Sequence, residues 1–460
     1  MKIIVLNGSP KGALSATMQY VHFIQKKYPQ HELKIFPVSQ QIKRIENNKE
    51  AFQEIMDEVG SSDGVLWAFP LYYFLVASQY KRFIELIFER EAEKVFKNRY
   101  AAVLTTSIHF FDHTAHNYMH AICDDLDMKV VGSFSAEMYD LLKGENREKL
   151  RLFAEAFFRA IEESSPSSKV YPPVTWGGVI YAPGLMESKV EGGRKKILLV
   201  IDSGNRQGNL IRMVEQFRKA FSRDTEMIDL QQVDMKGGCL GCLQCGYDYT
   251  CAYTGKDEFI DFFNTKLKTA DIVVFAGEIK DRYLSSRWKM FFDRSFFNTH
   301  TPSLAGKQIG FIISGPLSQI PNLRQILEAY TELQQGNLVD IVTDEYEDSA
   351  VIDGLLQKLA AGLVWFAERS YIQPRSFLGI GGMKIFRDDI WGRLRFPFRA
   401  DHQFYKKHGI YDFPQKDYKG RIVSQILLLL TKIPKIRKEI YQKRMKEEMI
   451  RPLQKALEKG

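Results

Sequence analysis

The sequence predicts an α/β fold with two tandem doubly wound parallel sheets and a C-terminal basic helical extension. Predicted strands and helices alternate over the first third of the chain, and the same order starts again near residue 196. With 45% hydrophobic residues among 460, the chain can bury a sizeable core. We therefore expect a first domain, a linker, a second domain and an extension, at residues 1–163, 164–195, 196–370 and 371–460.

The first half opens with an apolar strand, a Gly-Ser-Pro turn and a helix, in the sequence KIIVLNGSPKGALSATMQYVHFIQKKY. A strand that enters a glycine turn and a helix N terminus forms a cradle of backbone N–H groups, which suits a phosphate. The hydroxyls of Ser9, Ser15 and Thr17 would add further donors. Alternatively, Ser15 is only the N-cap of the helix, and this stretch alone leaves both interpretations open.

Three loops of the first half follow predicted parallel strands, at residues 8–17, 69–73 and 107–113. In an open α/β sheet, ligands bind at the carboxyl ends of the strands. Pro70, Tyr72 and Tyr73 would offer a rigid, flat apolar wall to a ring. His109 and Phe110 would cover the other side of that ring. The sequence therefore predicts one binding site formed by all three loops.

Three motifs follow one another in this half: GSPK with a later SAT, then FPLYYFLVASQYKRFIE, then TTSIHFF. Together they resemble the NAD(P)H-dependent FMN reductases of the flavodoxin-like superfamily, over about the first 160 residues. The resemblance implies a flavodoxin-like fold, a bound FMN and NAD(P)H as the electron donor. It implies that the FMN phosphate is held by Ser9, Lys11, Ser15 and Thr17. The isoalloxazine ring would be lined by Pro70, Leu71, Tyr72 and Tyr73, with Ser107 and His109 completing the pocket.

The stretch before residue 196 is rich in proline, serine and glycine without helical or alternating periodicity, which predicts a linker. Trp176 and the apolar run GVIYAPGLM indicate that this linker lies against a surface. The plan of the first half then restarts with KKILLVIDSGNRQGNLIRMVEQFRKAF and ends in a long helix near residues 349–369. We interpret this order as a remote internal repeat, so that the chain would be a fused pseudo-dimer.

The second half has its own version of the phosphate loop, and it differs from the first. It keeps Ser203, Gly208 and Asn209. However, Leu210 stands where the FMN reductase pattern has threonine, and Asp202 replaces a glycine. A carboxylate repels a phosphate, so phosphate binding is in question here and a second flavin is left open.

Four of the five cysteines follow the spacing C-x2-C-x2-C-x5-C: Cys239, Cys242, Cys245 and Cys251. Two successive C-x2-C steps let three thiolates converge on one small cubane, and a fourth arrives from a short loop. The motif therefore predicts an iron–sulfur cluster of the 4Fe–4S type. Zinc is an alternative, although it usually takes two separated pairs of cysteines. Four reduced thiols that only pack beside a cofactor are the third interpretation.

The second half resembles the iron–sulfur flavoproteins, in which a compact cysteine motif follows the second strand and the cluster lies near the FMN of a neighbouring subunit. In a fused pseudo-dimer, this resemblance implies that the cluster faces the flavin of the first half. NAD(P)H would reduce FMN, and electrons would pass through the cluster to a small molecule or a protein. Hydride arrival at a flavin needs no side-chain acid or base, so no catalytic residue is predicted.

Two other functions fit the sequence. The chain could be an electron-carrier subunit that docks on a partner enzyme or a membrane surface and has no substrate of its own. It could also be a scaffold that has lost its cofactors, which the altered second phosphate loop favours.

The extension divides into an aromatic, arginine-rich part and a basic tail. We expect the first part to pack over the domain surfaces rather than to bind a ligand. The tail, residues 416–460, carries 13 Lys or Arg and 5 Asp or Glu, an excess that equals the net charge of the whole chain, +8. Apolar residues recur in it at steps of four and three: Ile422, Ile426, Leu429, Ile433, Ile436 and Ile440.

Three interpretations of this tail are open: a helix docked on its own core, the dimerisation helix of a homodimer, and an amphipathic segment on an anionic membrane surface. Pro434 would kink or split the helix. The basic and aromatic residues match no nucleic-acid-binding module, so we expect no nucleic acid partner. The few, clustered cysteines and an N terminus that enters a strand directly predict a cytoplasmic protein, peripheral at the membrane if the third interpretation holds.

Overall fold

The computed structural model describes four stretches of the chain: residues 1–177, 179–186, 189–204 and 207–458. The chain forms two compact units, Met1–His402 and Gln403–Gly460. The first unit contains two parallel sheets and the start of the extension, and the second contains the rest of the extension with the helices of the tail.

The first sheet has five parallel strands in the order β2-β1-β3-β4-β5. They are β1 (Lys2–Asn7), β2 (Glu32–Phe36), β3 (Gly64–Pro70), β4 (Tyr100–Thr106) and β5 (Lys129–Ala136). The helices of this half are α1 (Ala16–Lys27), α2 (Val38–Asn47), α3 (Lys49–Gly60), α4 (Ser78–Glu89), α5 (Asp112–Asp125) and α6 (Gly144–Glu162). Strands β1, β3 and β4 are buried along nearly their whole length, because central parallel strands are covered on both faces.

The second sheet repeats this strand order, as β7-β6-β8-β9-β10. Its strands are β6 (Ile197–Ile201), β7 (Glu226–Asp229), β8 (Ile272–Glu278), β9 (Gln308–Ser314) and β10 (Asn337–Thr343). The helices of this half are α7 (Asn209–Lys219), α8 (Phe259–Phe262), α9 (Ser286–Ser295), α10 (Pro321–Leu333) and α11 (Ser349–Glu368). Both sheets have the flavodoxin-like strand order. The structure therefore confirms the predicted α/β fold with two tandem flavodoxin-like sheets.

Among the described residues, α11 is the one helix long and apolar enough to cross a membrane by length and composition. Its residues Ile352, Leu356, Leu359 and Leu363 are fully buried in the core beside the second sheet. Burial in a protein core accounts for its apolar sequence without a membrane.

The segment between the two sheets is irregular but held at both ends. The carboxylate of Asp124 in the first half accepts hydrogen bonds from the N–H groups of Val170 and Tyr171, both at 2.9 Å. Further along, Tyr181 is fully buried in the core of the second half. The linker thus lies against both halves.

The extension continues the first unit with α12 (Phe377–Trp391), and α13 (Arg399–Lys407) begins in the first unit and ends in the second. Glu332 of α10 accepts hydrogen bonds from the N–H groups of Ser376 and Gly379, at 2.8 and 2.9 Å, and so satisfies amides at the start of α12. A Cβ at Gly382 would lie 2.8 Å from a methyl of Leu333, so glycine permits the close packing of the two helices. The extension therefore packs on the second half through α10.

The second unit contains α14 (Tyr418–Leu430), α15 (Pro434–Lys438) and α16 (Met445–Leu457). Pro434 is the first residue of α15, so the helix is split there, as the sequence predicts. In these described helices no residue is buried.

Helices α4 and α9 pack against each other and join the two halves. The N–H of Ser78, the first residue of α4, donates to Asp293 Oδ2 on α9 at 2.7 Å. In return, the N–H of Ser286, the first residue of α9, donates to Glu85 Oε1 on α4 at 2.6 Å. Each carboxylate satisfies an unpaired amide at the positive end of the opposite helix. The contact is reciprocal, as in a twofold interface between identical subunits.

The same carboxylates also pair with two fully buried lysines. Lys81 Nζ lies 2.8 Å from Glu85 Oε1, and Lys289 is paired with Asp293. Lys289 further donates to the carbonyl oxygen of Tyr72, at 3.0 Å. Across the interface, Lys81 also lies 2.9 Å from Asp281 of the second half. Removing one partner of a buried ion pair leaves an uncompensated charge, so this pair favours keeping the two halves together.

Replacing Asp293 with Asn tests this interface. The amide can still accept the bond from Ser78, but Lys289 loses its counter-charge, so we expect the free energy of unfolding to fall by about 3–5 kcal/mol in urea denaturation. Glu89→Gln on α4 is the control, because that carboxylate is about half exposed and its loss should change stability by less than about 1 kcal/mol. Equal effects of the two substitutions would contradict the role given to Asp293.

Candidate functional site

A cavity of about 370 Å³ lies at the carboxyl ends of β1, β3 and β4, a volume typical of small-molecule sites, which span about 300–1,000 Å³. The first half lines it with Ser9, Lys11, Leu14, Ser15, Ala16, Pro70, Leu71, Tyr72, Tyr73, Phe74, Thr106, Ser107, Ile108, Phe110 and Met138. The second half lines it with Cys239, Gly241, Leu243, Phe296, Thr299, His300, Thr301, Tyr330, Leu333 and Gln334. The extension adds Met383, Phe386, Leu394 and Phe398.

The loop between β1 and α1 forms one end of this cavity. Gly12 has a φ of +58°, and its N–H donates to the carbonyl oxygen of Ser9 at 3.0 Å, which closes the turn. The hydroxyl of Ser15 accepts a hydrogen bond from the first turn of α1 at 3.2 Å, so Ser15 is an N-cap as well as a cavity residue. Amides at the N terminus of α1 and the nearby Lys11 favour an anion at this end.

The turn after β3 forms a wall of the cavity, with Pro70, Leu71, Tyr72 and Tyr73. Tyr72 and Leu75 exchange backbone hydrogen bonds of 2.8 and 3.0 Å, which hold the turn tight. Burial raises the pKa of Tyr72 and of Tyr73 well above the usual range, so both hydroxyls stay protonated at neutral pH. The wall is largely apolar, and the hydroxyl of Tyr72 lies beside Gly241 of the second half.

Eight of the ten residues predicted to contact FMN line the cavity, and Thr17 and His109 do not. Thr17 is fully buried, and its hydroxyl lies 2.6 Å from that of Thr106, so it is a layer below the lining. His109 is about half exposed, and its Nδ1 lies 2.9 Å from Asp112 Oδ2. Its N–H donates to the hydroxyl of Ser107, which does line the cavity. All ten stay predictions as flavin contacts.

The cysteine loop of the second half reaches the first half at Gly241, which has a φ of +63°. A Cβ at this position would lie 2.0 Å from Tyr72 Oη and 3.0 Å from Lys11 Cε, so only glycine fits here without a shift. Gln79 of α4 donates from Nε2 to the carbonyl oxygen of Cys239 at 3.1 Å. These contacts make the cysteine loop part of the cavity wall.

The four cysteines of the motif also line a second, smaller cavity: Cys239, Cys242, Cys245 and Cys251. Arg294 lines this cavity too, and its guanidinium forms two hydrogen bonds with the carboxylate of Asp257, at 2.7 and 2.9 Å. The N–H of Gly241 donates to the sulfur of Cys239 at 3.4 Å. Cys239 lines both cavities, so a group bound to its sulfur would be adjacent to a ligand in the larger one.

Burial raises the pKa of Cys239 to about 12 and also raises that of Cys245. Without a metal these two are therefore neutral thiols at pH 7, and a metal centre would displace their protons. Within the described stretches, no three His, Cys, Asp or Glu side chains are placed to hold a single metal ion. The cavity that the four cysteines line has a volume of only about 20 Å³. The iron–sulfur cluster, zinc and four reduced thiols therefore all stay open as interpretations of this motif.

His300 is a cavity residue that the sequence analysis did not identify. Its Nδ1 lies 2.8 Å from Asp401 Oδ2, and the hydroxyl of Thr299 also bonds to this carboxylate. Asp401 is fully buried. The rings of Phe386 and Phe398 flank the imidazole, with centroids 4.3 and 4.6 Å away. The carboxylate fixes the orientation of the ring, but the two partners are 101 residues apart and form no local motif.

The loop after β6, the counterpart of the phosphate loop, is occupied by its own carboxylates. The N–H of Ser203 donates to Asp229 Oδ1 at 3.3 Å, and its hydroxyl donates to the other oxygen. Asp202 accepts hydrogen bonds from two further side chains. Asn205 and Arg206 of this loop lie outside the described residues. Among the described residues of this loop, the N–H and the hydroxyl of Ser203 are thus already bonded to an acid.

Residues 1–139 match the model of the NADPH-dependent FMN reductase family. Similar solved structures include an apo NADH:FMN oxidoreductase, 18% identical, covering 35% of this chain and 89% of its own, with a TM-score of 0.30. FerB, an NAD(P)H:(acceptor) oxidoreductase of Paracoccus denitrificans, is 19% identical; the match covers 35% of this chain and 97% of FerB, with a TM-score of 0.28. General stress protein 14 of Treponema denticola, in complex with FMN, is 10% identical; the match covers 35% of this chain and 98% of that protein, with a TM-score of 0.26. No curated protein matches the chain.

Proposed function

We propose that this chain is an NAD(P)H-dependent flavin oxidoreductase that binds FMN in the larger cavity. The observation that carries the proposal is the cavity itself, which has Ser9, Lys11 and Ser15 at one end and an apolar wall after β3. Of its 29 lining residues, 15 lie in the part of the chain that matches the FMN reductase family. When bound, FMN supplies a ring that accepts a hydride from NAD(P)H and can release its electrons singly. The residues of the chain bind and orient this ring.

The phosphate of FMN would lie at the loop between β1 and α1. There Ser9, Ser15 and the N terminus of α1 offer hydrogen-bond donors, and Lys11 offers a positive charge. The ring would lie along the wall after β3, where the protonated hydroxyl of Tyr72 can donate a hydrogen bond. Aromatic residues from the second half and the extension would exclude water from this end.

One flavin for each chain follows from the difference between the two phosphate loops. In the second half, Asp202 and Asp229 already accept the bonds of neighbouring donors, and both would repel a phosphate. Ser9 and Lys11 of the first half lie beside no such acid in the cavity lining. We therefore place the flavin in the first half alone.

Lys11→Ala tests both the binding site and the activity. The assay follows oxidation of NADH or NADPH with ferricyanide as the acceptor, at varied FMN concentration. We expect the half-maximal FMN concentration to rise about tenfold, because an exposed cation beside a phosphate contributes about 1–1.5 kcal/mol to binding. Riboflavin has no phosphate, so its half-maximal concentration should stay the same in this variant. Lys26→Ala, at the far end of α1, should leave both flavins unaffected.

Two results would contradict the proposal. Equal losses for FMN and riboflavin would show that Lys11 does not contact the phosphate. If the FMN-loaded protein bound flavin but oxidised neither NADH nor NADPH, and was reduced only by another protein, the chain would be an electron carrier without its own substrate. The exposed, basic tail is the observation that favours this second function.

We further propose that Cys239, Cys242, Cys245 and Cys251 hold a 4Fe–4S cluster. Their spacing, their shared cavity and the position of Cys239 between the two cavities support this. Such a cluster would supply one-electron transfer between the flavin site and the acceptor, which would be a small molecule or a protein. The N–H of Gly241, which donates to the sulfur of Cys239, would be one hydrogen bond to such a cluster.

Cys242→Ser tests the cluster. Cys242 is exposed, so the change should leave the fold intact while iron and acid-labile sulfide fall to less than about a tenth of the wild-type amounts after anaerobic purification. Bound FMN should remain. Cys123→Ala, at a buried cysteine of α5 outside the motif, is the control and should keep its iron. Unchanged iron in Cys242→Ser, or loss of flavin together with iron, would contradict the assignment.

A further inference from the structure

Helix α14 exposes an unusual apolar surface. Eight of its side chains are 41–69% exposed, and they are Tyr418, Ile422, Val423, Ile426, Leu427, Leu428, Leu429 and Leu430. The side chain of Asp417 accepts a hydrogen bond from the N–H of Gly420, so the helix has a capped, defined start. Exposed apolar areas of this size mark a surface that meets an apolar partner.

The arrangement of these residues favours a lipid bilayer as the partner over another protein helix. Ile426 to Leu430 are five consecutive apolar residues, and a helix turns once in about 3.6 residues, so they point to every side of α14. A coiled coil or a docked helix covers one stripe of its partner. The acyl region of a bilayer can surround the apolar residues on several sides.

The charges around α14 identify the kind of surface. From residue 418 to residue 438 the sequence has no Asp or Glu, and its six basic residues are Lys419, Arg421, Lys432, Lys435, Arg437 and Lys438. None of these six pairs with a carboxylate among the described residues, whereas Lys443 and Arg444 both pair with Glu439. A second copy of the segment would bring like charges together, while anionic lipid headgroups would attract them.

The bend between α14 and α15 adds a groove in which cationic and apolar groups lie side by side. It is lined by Lys432, Arg437 and Lys438 together with Leu428 and Tyr441. Such a lining fits the boundary between the headgroups and the acyl chains of a bilayer. The cationic groups would bind lipid phosphates there, and the apolar groups would contact the acyl chains.

The length of the helix decides how it would meet a bilayer. Its 13 residues extend about 20 Å, which is shorter than the hydrocarbon core of about 30 Å. Pro434 and the basic residues after it end the apolar run. We propose that α14 and α15 lie in the surface layer of a bilayer that contains anionic lipids, and that they bind the chain to it peripherally. This inference goes beyond the proposed function and does not depend on it.

The test is co-sedimentation of the full-length protein with vesicles of phosphatidylcholine alone or with about 30% phosphatidylserine. We expect at least about tenfold tighter binding to the anionic vesicles, and weaker binding in high salt. The variant Ile426→Asp with Leu429→Asp should lose this binding. The control, Ser424→Asp with Gln425→Asp, adds the same charge to the same helix at polar positions and should bind much more tightly than the first variant.

Three results would overturn the proposal. One is no binding of the wild type to anionic vesicles, and another is equal binding by the two double variants when circular dichroism shows both to be folded. The third is a wild-type dimer that the Ile426 and Leu429 substitutions dissociate, in a protein that does not bind vesicles, because a second copy would then cover α14.

Discussion

The reciprocal contact between α4 and α9 is the interaction on which the architecture depends. Ser78 and Ser286 each donate a backbone N–H to a carboxylate of the opposite helix, Asp293 and Glu85. Each carboxylate also pairs with a buried lysine of its own helix, and Lys81 of the first half pairs in addition with Asp281 of the second, at 2.9 Å, so buried charge of one half is compensated by the other. The same contact brings the cysteine loop against the first half, where Gly241 meets the turn after β3. The joint cavity is therefore a consequence of the interface.

The two halves share a strand order but differ at the equivalent edges. Tyr73 lies eight residues before Lys81, and Asp281 lies eight residues before Lys289. In the first half this position holds Tyr73, whose ring lines the cavity. In the second half it holds Asp281, a buried carboxylate that lies 2.9 Å from Lys81. Asp229 likewise fills the second phosphate loop. The first edge opens into a cavity, whereas at the second edge Asp229 bonds to its own loop and Asp281 stabilises the contact between the halves.

The sequence was sufficient for the fold, because central parallel strands such as β1 require continuous apolar runs and glycine turns mark the loops after them. It also identified most of the cavity lining in the first half. It could not show that Thr17 is turned towards Thr106, or that His109 lies at the surface, since both depend on tertiary packing. Nor could it pair His300 with Asp401, which belongs to a segment expected only to pack. The cavity is completed by contacts that are distant in sequence.

The central claim is that the second half forms part of the FMN site, and FMN affinity of a Gly241→Ala variant tests it most directly. An added Cβ at Gly241 would meet Tyr72 at 2.0 Å, whereas one at Gly255, which has a similar φ of +70°, would meet nothing within 4 Å. Both changes carry the same backbone strain. We expect the FMN Kd to rise about tenfold or more in Gly241→Ala and to change little in Gly255→Ala. Equal FMN affinities in the two folded variants would contradict the account.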